Sequence, residues 1–281
     1  MAIPDSLQHI LKDNLSGSVT LLKKLMVALE NELLNPVLDP ATFIGYIELL
    51  REKMELFTVI RHFCDELLLS HNISVRNYPA NYLSFIHEYK EFWEHAPQLL
   101  MNNLLKNVDL KNKIVMVHSN SGTIREVFRL LSGKTTDIKF YQTLSAPAEE
   151  GRIQAHDLAN MGYKVVLIPD ALTAEKMKDT DVLILAADQV RKHTIVNKTG
   201  TLQMVLAAQE FSVPVVVLTE SRKMNQKTED GPFQDKKRDM GEILNDIRHP
   251  NITAENLYFE EIPKYLVNHL ITEKKEMDLN A

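Results

Sequence analysis

The first hundred or so residues carry apolar side chains at intervals of three and four positions, and the pattern then changes to short apolar runs. Residues 18–34, SVTLLKKLMVALENELL, place their apolar positions on one side of a helix, and residues 77–105 repeat this spacing. Such spacing is typical of an amphipathic helix with one buried face. The pattern therefore predicts a helical region up to about residue 108.

Two prolines bear on where these helices begin and end. The apolar repeat of residues 39–72 opens with Asp39 and Pro40, which suit an N-cap and the first turn of a helix. Pro97 lies inside the repeat of residues 77–105. Because proline lacks the amide hydrogen that a helix uses, it predicts a break or a kink there.

From Lys111 onward, five short runs rich in β-branched residues alternate with helical segments. The runs are KIVMVHS, IKFYQTLS, KVVLIPD, DVLILAAD and PVVVLTE. This alternation predicts an α/β domain in which helices cover both faces of a parallel sheet. Ligands of such sheets bind beyond the carboxyl ends of the strands. The polar residues at those ends are His118, Ser119, Asn120, Ser145, Asp170, Asp188 and Glu220.

The change of pattern divides the chain into an α-helical domain, residues 1–108, and an α/β domain, residues 109–281. Within the second domain, the polar and aperiodic stretch 222–240 is predicted to be a mobile loop.

Composition and charge argue against nucleic-acid-binding, membrane-spanning and metal-binding functions. The net charge is −6 and there is no long basic run, so no direct nucleic-acid binding is expected. No apolar stretch approaches the roughly 18 residues of a membrane span, and the N-terminus lacks the pattern of a signal peptide. No His, Cys or carboxylate cluster has the spacing of metal ligands, so neither a metal nor another cofactor is expected.

The single cysteine, Cys64, excludes an internal disulfide and favours a reducing compartment, so we expect a soluble cytoplasmic protein. Its apolar helical neighbours favour a buried core side chain over a nucleophile.

The segment HSNSGT, residues 118–123, lies between a predicted strand and a predicted helix. Ser119, Ser121 and Gly122 allow successive backbone N–H groups to face the gap. The helix dipole and the hydroxyls favour an anion such as phosphate there. A turn that only caps the helix is an equally good interpretation.

A second turn of this kind is NKTGT, residues 197–201, where Asn197 and Lys198 precede the start of a predicted helix. Lysine beside a helix N-terminus suits an anion, although an ordinary loop with an exposed lysine would have the same sequence. Asp188 ends a very apolar strand. Its carboxylate could act as a general base, bind sugar hydroxyls or cap backbone amides.

These motifs together, and their order along the chain, resemble the translation initiation factor 2B alpha/beta/delta family. The motifs are HSNSG, EEGRIQAHDLANMGYKVVLIPDA, AADQV, NKTGT and TESRKM. The family includes methylthioribose-1-phosphate isomerase and ribose-1,5-bisphosphate isomerase. The resemblance implies a Rossmann-like, NagB/RpiA/CoA-transferase-like second domain, a homodimer formed through it and a phosphorylated small-molecule ligand.

In the isomerases of this family, a cysteine and an aspartate move protons or hydride along the opened sugar. Asp188 matches the aspartate, whereas Ser119 stands where the cysteine is expected. Lys223, in ESRKM, is a candidate phosphate contact by the same resemblance. The family has an Asn-Lys pair near the ligand, followed by a Gly-Thr pair. Asn197 and Lys198 match the first pair, and Gly200 and Thr201 match the second.

Departures from the isomerases bear on catalysis. A serine hydroxyl is a far weaker acid than the thiol that it replaces. Leu144 and Ala146 occupy the positions of an isomerase glutamate and arginine, and Glu150 replaces a glutamine. The arginine-glycine phosphate loop of the isomerases is not evident, and Arg152 is a candidate replacement for one lost cation.

Three functions fit these residues. The departures favour the first, a noncatalytic protein that binds a phosphorylated sugar or nucleotide. The second is a divergent isomerase of the ribose-1,5-bisphosphate or methylthioribose-1-phosphate type, using Asp188 with Ser119 or a water. The third is a regulatory or assembly subunit of the translation initiation type. The candidate ligand contacts are His118, Asn120, Ser121, Gly122, Arg152, Asn197, Lys198, Gly200, Thr201 and Lys223.

Overall fold

The computed structural model of the protein describes residues 3–12, 18–54, 57–71, 77–134, 137–224, 233, 235 and 237–277. The chain falls into two compact units, residues 1–95 and 96–281. Among the described residues, the first unit is helical and the second carries the strands.

The helices before the first strand are α1 Asp5–Lys12, α2 Ser18–Leu33, α3 Pro40–Lys53, α4 Thr58–His71 and α5 Ala80–Asn107. The first unit has an apolar core that includes Leu25, Phe43 and Phe63. Cys64 is fully buried in this core, and burial raises the pKa of its thiol to about 12. The thiol is therefore protonated at neutral pH, and the predicted core position of Cys64 is confirmed.

The predicted start of α3 is also confirmed. Asp39 has extended backbone, and its carboxylate accepts hydrogen bonds from the amides of Ala41 and Thr42, each at 3.0 Å. Pro40 occupies the first helical turn, where its missing amide hydrogen is not needed.

Two helix boundaries differ from the simplest interpretation of the sequence. The apolar repeat of residues 39–72 is divided into α3 and α4, with the C-cap of α3 at Met54. At Pro97, by contrast, α5 continues as one helix, so a break is not present. The two units divide after His95, within α5, whereas the boundary predicted after residue 108 lies just beyond that helix. That domain boundary stays a prediction.

The strands are β1 Ile114–Val117, β2 Lys139–Thr143, β3 Lys164–Ile168, β4 Val182–Ala186, β5 Gln189–Val190, β6 Thr194–Lys198, β7 Val215–Leu218, β8 Phe259–Pro263, β9 His269–Ile271 and β10 Glu276–Met277. Seven of them form one sheet in the order β10-β9-β7-β4-β1-β2-β3. Neighbours in this sheet are parallel except β10, which is antiparallel to β9. The five predicted strands are β1, β2, β3, β4 and β7.

Helices cover both faces of this sheet. They are α6 Gly122–Leu131, α7 Gly151–Asn160, α8 Thr173–Met177 and α9 Thr201–Glu210. A further short helix, α10 Gly241–Leu244, has no buried residue. Val115 and Val117 of β1 lie in the core that contains Phe128 of α6, whereas Met116 lies in the core that contains Met204 of α9. The predicted fold class, a helical N-terminal region followed by a parallel-sheet α/β region, is confirmed.

A small antiparallel sheet of the order β5-β6-β8 lies beside the predicted elements and was not expected from the pattern of the sequence. The stretch 222–240, predicted to be a mobile loop, is described only in part. Ser221–Lys223 form a 3₁₀ turn, and residues 225–232, 234 and 236 lie outside the described residues. None of the helices described is both long and apolar enough to cross a bilayer.

Candidate functional site

Charged and polar residues gather at the carboxyl edge of the sheet. Because β7, β4, β1 and β2 are parallel neighbours, their carboxyl ends meet at this edge. Ser119 follows β1, Asp188 follows β4 and Lys223 follows β7, while Glu150 ends the loop after β2. The set called here the strand-end site consists of His118, Ser119, Glu150, Asp188, Lys198 and Lys223.

His118 is buried, and its hydrogen bonds define its tautomer. Nε2 lies 3.0 Å from the carbonyl oxygen of Thr199, which can only accept, so Nε2 carries the proton. Nδ1 then accepts from the hydroxyl of Thr143 at 2.5 Å. Burial lowers the pKa of His118 from its ordinary value of 6.5, so the ring is neutral at pH 7. Both ring nitrogens are bound within the protein, and a ligand contact by His118 stays a prediction.

Ser119 is held by its backbone and by its hydroxyl. Its φ of 62° is uncommon for a residue with a side chain, and its amide donates to the hydroxyl oxygen of Ser145 at 2.8 Å. Asp170 fixes that neighbouring turn by accepting from the amides of Ser145 and Ala146, at 2.8 and 2.7 Å. The Ser119 hydroxyl donates to Glu150 at 3.0 Å. The residue in the place of the isomerase cysteine is therefore bound to an internal carboxylate.

The turn before α6, predicted to bind an anion, leaves some of its backbone N–H groups without an acceptor in the described part of the chain. Ser121 caps the helix by accepting from the amide of Ile124 at 3.3 Å, and its own amide donates to Gln154 at 2.8 Å. Within the described residues, no acceptor binds the amides of Gly122 and Thr123 at the start of the helix. Two N–H groups are thus available to an anion there.

Two of the predicted ligand contacts are paired near the protein surface. The side-chain oxygen of Asn120 accepts from Arg125 at 2.6 Å. Arg152 forms an ion pair with Glu149 at 2.6 Å, and both side chains are exposed. Their roles in ligand binding stay predictions.

Lys198 is the most enclosed cation of the strand-end site. Its side chain is 3% exposed, and its ammonium lies 3.0 and 3.2 Å from the two carboxylate oxygens of Glu150. The ring of Tyr258 covers it at 4.1 Å from the ring centroid. Glu150 therefore joins Lys198 to the hydroxyl of Ser119.

The second turn predicted to bind an anion, at the start of α9, already has a carboxylate of the protein on its backbone amides. Gly200 has a φ of 102°, which strains any residue with a side chain, and a Cβ there would also crowd Nε2 of His118 at 3.3 Å. One carboxylate oxygen of Glu260, on β8, accepts from the amides of Gly200 and Leu202, each at 2.8 Å. In this structure the protein's own carboxylate therefore takes the place at the helix start that an anion was expected to occupy, and binding of a ligand anion there stays a prediction.

Asn197 and Thr201 hold the same turn together. The Asn197 amide donates to the hydroxyl of Thr201 at 3.1 Å, and that hydroxyl donates to the carbonyl of Lys198 at 2.6 Å. Both side chains are buried, so they shape the turn that carries Lys198. Ligand contacts by Asn197, Gly200 and Thr201 stay predictions.

Asp188 is a partly buried carboxylate among three charges. Burial raises its pKa, Lys223 and Lys198 oppose this rise, and Glu150 adds to it. Its backbone amide donates to the carbonyl of Val196 at 2.9 Å. Among the described residues, no side chain or amide donates to its carboxylate. The oxygens of Asp188 are therefore available to hydroxyl groups.

Lys223 is a buried cation with few partners. Its side chain is 5% exposed, and its ammonium donates to the carbonyl of Ala187 at 2.8 Å. Within the described residues, no carboxylate lies at ion-pair distance from it. Its position is fixed by the turn before it, where Glu273 accepts from the amide of Ser221 at 2.8 Å.

The model of the initiation factor 2 subunit family matches residues 46–277. The chain belongs to this family. The match begins within α3 and extends through the sheet, and the resemblance drawn from the sequence motifs is confirmed.

Curated relatives of the chain in this family include sugar-phosphate isomerases. Ribose 1,5-bisphosphate isomerase of Pyrococcus furiosus is 29% identical over 167 residues, which are 57% of this chain and 52% of that protein. Methylthioribose-1-phosphate isomerase of Bacillus pumilus is 29% identical over 56% of this chain and 47% of its own length. The chain thus matches about half the length of these relatives.

Solved structures share the fold over almost the whole chain. The translation initiation factor eIF-2B of Pyrococcus horikoshii OT3 has a TM-score of 0.83, with 24% identity and 98% of each chain covered. The 5-methylthioribose 1-phosphate isomerase of the same organism has a TM-score of 0.78, with 16% identity, and covers 97% of this chain and 83% of its own. The tetrameric eIF2B-beta2-delta2 complex of C. thermophilum has a TM-score of 0.72 with 15% identity, over 98% of this chain and 90% of that one. At these identities the likeness is one of fold.

Proposed function

We propose that this protein binds a small phosphorylated ligand, a sugar phosphate or a nucleotide, at the strand-end site and does not isomerise it. The observation that carries the proposal is the buried ammonium of Lys223, which has a backbone carbonyl and no described carboxylate as its partner. A charge removed from water is costly unless an opposite charge or several hydrogen bonds compensate. Asp188 lies near this ammonium without an ion-pair contact, and a ligand phosphoryl group would add a negative charge in direct contact with it.

The neighbouring groups suit the rest of such a ligand. Asp188 offers carboxylate oxygens without a described donor, and carboxylates accept hydrogen bonds from sugar hydroxyls. The open amides of Gly122 and Thr123 add donors for phosphoryl oxygens. Together these groups match a molecule with both hydroxyls and a phosphoryl group.

The proposal is tested by calorimetric titration with ribose 5-phosphate, adenosine 5′-monophosphate and ribose. The phosphorylated ligands should bind and ribose should not. Lys223→Met should weaken phosphate-ligand binding by about 10- to 100-fold, the value of one charge-assisted hydrogen bond. Lys178→Met is the matched control, because Lys178 is exposed and pairs with Glu175. Equal affinity of the Lys223→Met variant and the wild type would contradict the proposal.

An isomerase is the second candidate, because the curated relatives include such enzymes and because burial raises the pKa of the Asp188 carboxyl, a group that can act as a general acid or base. Against it, the hydroxyl of Ser119 is bound to Glu150 and is a poor acid. Incubation with ribose 1,5-bisphosphate or methylthioribose 1-phosphate should give no product. Turnover that Asp188→Asn abolishes would favour the enzyme.

A further inference from the structure

Glu150 changes the charge balance of the strand-end site. Its carboxylate lies at 3.0 Å from the ammonium of Lys198, so these two charges cancel within the site. The Lys198 ammonium is also covered by the ring of Tyr258, which leaves little room for a second anion. Within the described residues of the site, Lys223 is then the buried cation without a carboxylate partner.

We propose that Glu150 makes the site selective for ligands with a single phosphoryl group, and that a bisphosphate is rejected. This rests on the proposed function, since it refines which phosphorylated ligand is bound. A second phosphoryl group would have to displace Glu150 from Lys198 or lie beside its negative charge. Breaking a buried ion pair and placing like charges together both oppose binding.

The same carboxylate favours a hydroxylated end on the ligand. An ionised carboxylate has about four lone-pair positions. One Glu150 oxygen receives the Ser119 hydroxyl and Lys198, and the other receives Lys198. Because the Glu150 side chain is 21% exposed, its free acceptor capacity can receive a ligand hydroxyl. The ligand class is therefore a monophosphorylated polyol or nucleoside, with its hydroxyls towards Glu150 and its phosphoryl group towards Lys223.

Paired ligands that differ in one phosphoryl group test this selectivity. Calorimetric titration compares ribose 5-phosphate with ribose 1,5-bisphosphate, and adenosine 5′-monophosphate with adenosine 3′,5′-bisphosphate. The wild type should prefer the monophosphate of each pair by about tenfold or more, the lower range of one charged contact. Glu150→Gln should reduce this preference by about tenfold or more.

Two further variants complete the design. Glu126→Gln is the matched control, because it removes the same charge from an exposed ion pair with Arg129 and should leave the preference unchanged. Glu150→Asp keeps the charge and should keep the preference, so a folded Glu150→Asp variant that loses it would contradict a role for the charge.

The outcomes separate the two proposals. A wild type that binds bisphosphates as tightly as monophosphates overturns the selectivity of Glu150 and leaves phosphate binding intact. So does an unchanged preference in a folded Glu150→Gln variant. Failure of every phosphorylated ligand to bind the wild type overturns the proposed function and the selectivity with it.

Discussion

The strand-end site contains two carboxylates and two lysines, and one residue of each kind has no ion-pair contact within the site. Glu150 and Lys198 form a close pair, whereas Asp188 and Lys223 influence each other without an ion-pair contact. Glu150 and Lys198 neutralise each other. Asp188 and Lys223 are therefore the charged side chains of the site that can still bind a ligand. The sequence alone did not show which of these four residues pair with each other, because all four are charged residues at strand or helix ends.

The stability effect of Asp188 follows from its raised pKa. A carboxyl group whose pKa is higher in the folded state binds more protons there, so its contribution to folding becomes less favourable as pH rises above its ordinary value of 3.8. Asp188→Asn removes this charge. We expect the variant to be more stable than the wild type by about 0.5–2 kcal/mol at pH 7, the usual size of a single stabilising substitution.

Urea denaturation of both proteins at pH 7 and near pH 4 measures this effect. The advantage of the variant should shrink at the lower pH, where the wild-type carboxyl becomes protonated. A stability difference that does not change with pH would show that burial of Asp188 is not the cause.

At the scale of elements, the two helix starts that looked alike in sequence have different environments. The turn before α6 is capped by its own Ser121 and has open amides, whereas the start of α9 is bound by Glu260. Glu260 comes from β8, which pairs with β6 across a long separation in the chain. No local motif near Gly200 could have predicted that a distant strand would bring a carboxylate there.

Removing this carboxylate should destabilise α9. Glu260→Ala leaves the amides of Gly200 and Leu202 without their acceptor, and we expect a loss of about 1–2 kcal/mol in the free energy of unfolding. Chemical denaturation provides the measurement, with the exposed Glu255→Ala as control. Equal stability of the two variants would contradict a capping role for Glu260.

At the scale of the whole molecule, family membership and fold agree with the sequence motifs, and the solved neighbours include a tetrameric eIF2B complex. The resemblance further implies a homodimer through the second domain. An edge strand of the sheet, β3, carries the exposed apolar residues Val166 and Leu167. Exposed apolar edges of this kind are typically covered by another element or chain.

We therefore predict a dimer in solution. Light scattering coupled to size exclusion should give twice the mass of one chain at micromolar concentration. Dilution should shift the population towards the monomer if the interface is reversible. A monomer alone throughout the micromolar range would contradict this prediction and the assembly role with it.

The sequence by itself determined the helical first region, five parallel strands, the cap at Asp39 and the family. These follow from local periodicity and from short motifs, each of which depends on residues close together in the chain. Tertiary structure alone decided which charges pair: Glu150 with Lys198, Glu260 with the start of α9, and neither with Lys223. Such pairing depends on distances of a few ångströms between strands remote in sequence, because Coulomb and hydrogen-bond energies fall steeply with separation and burial sets their strength.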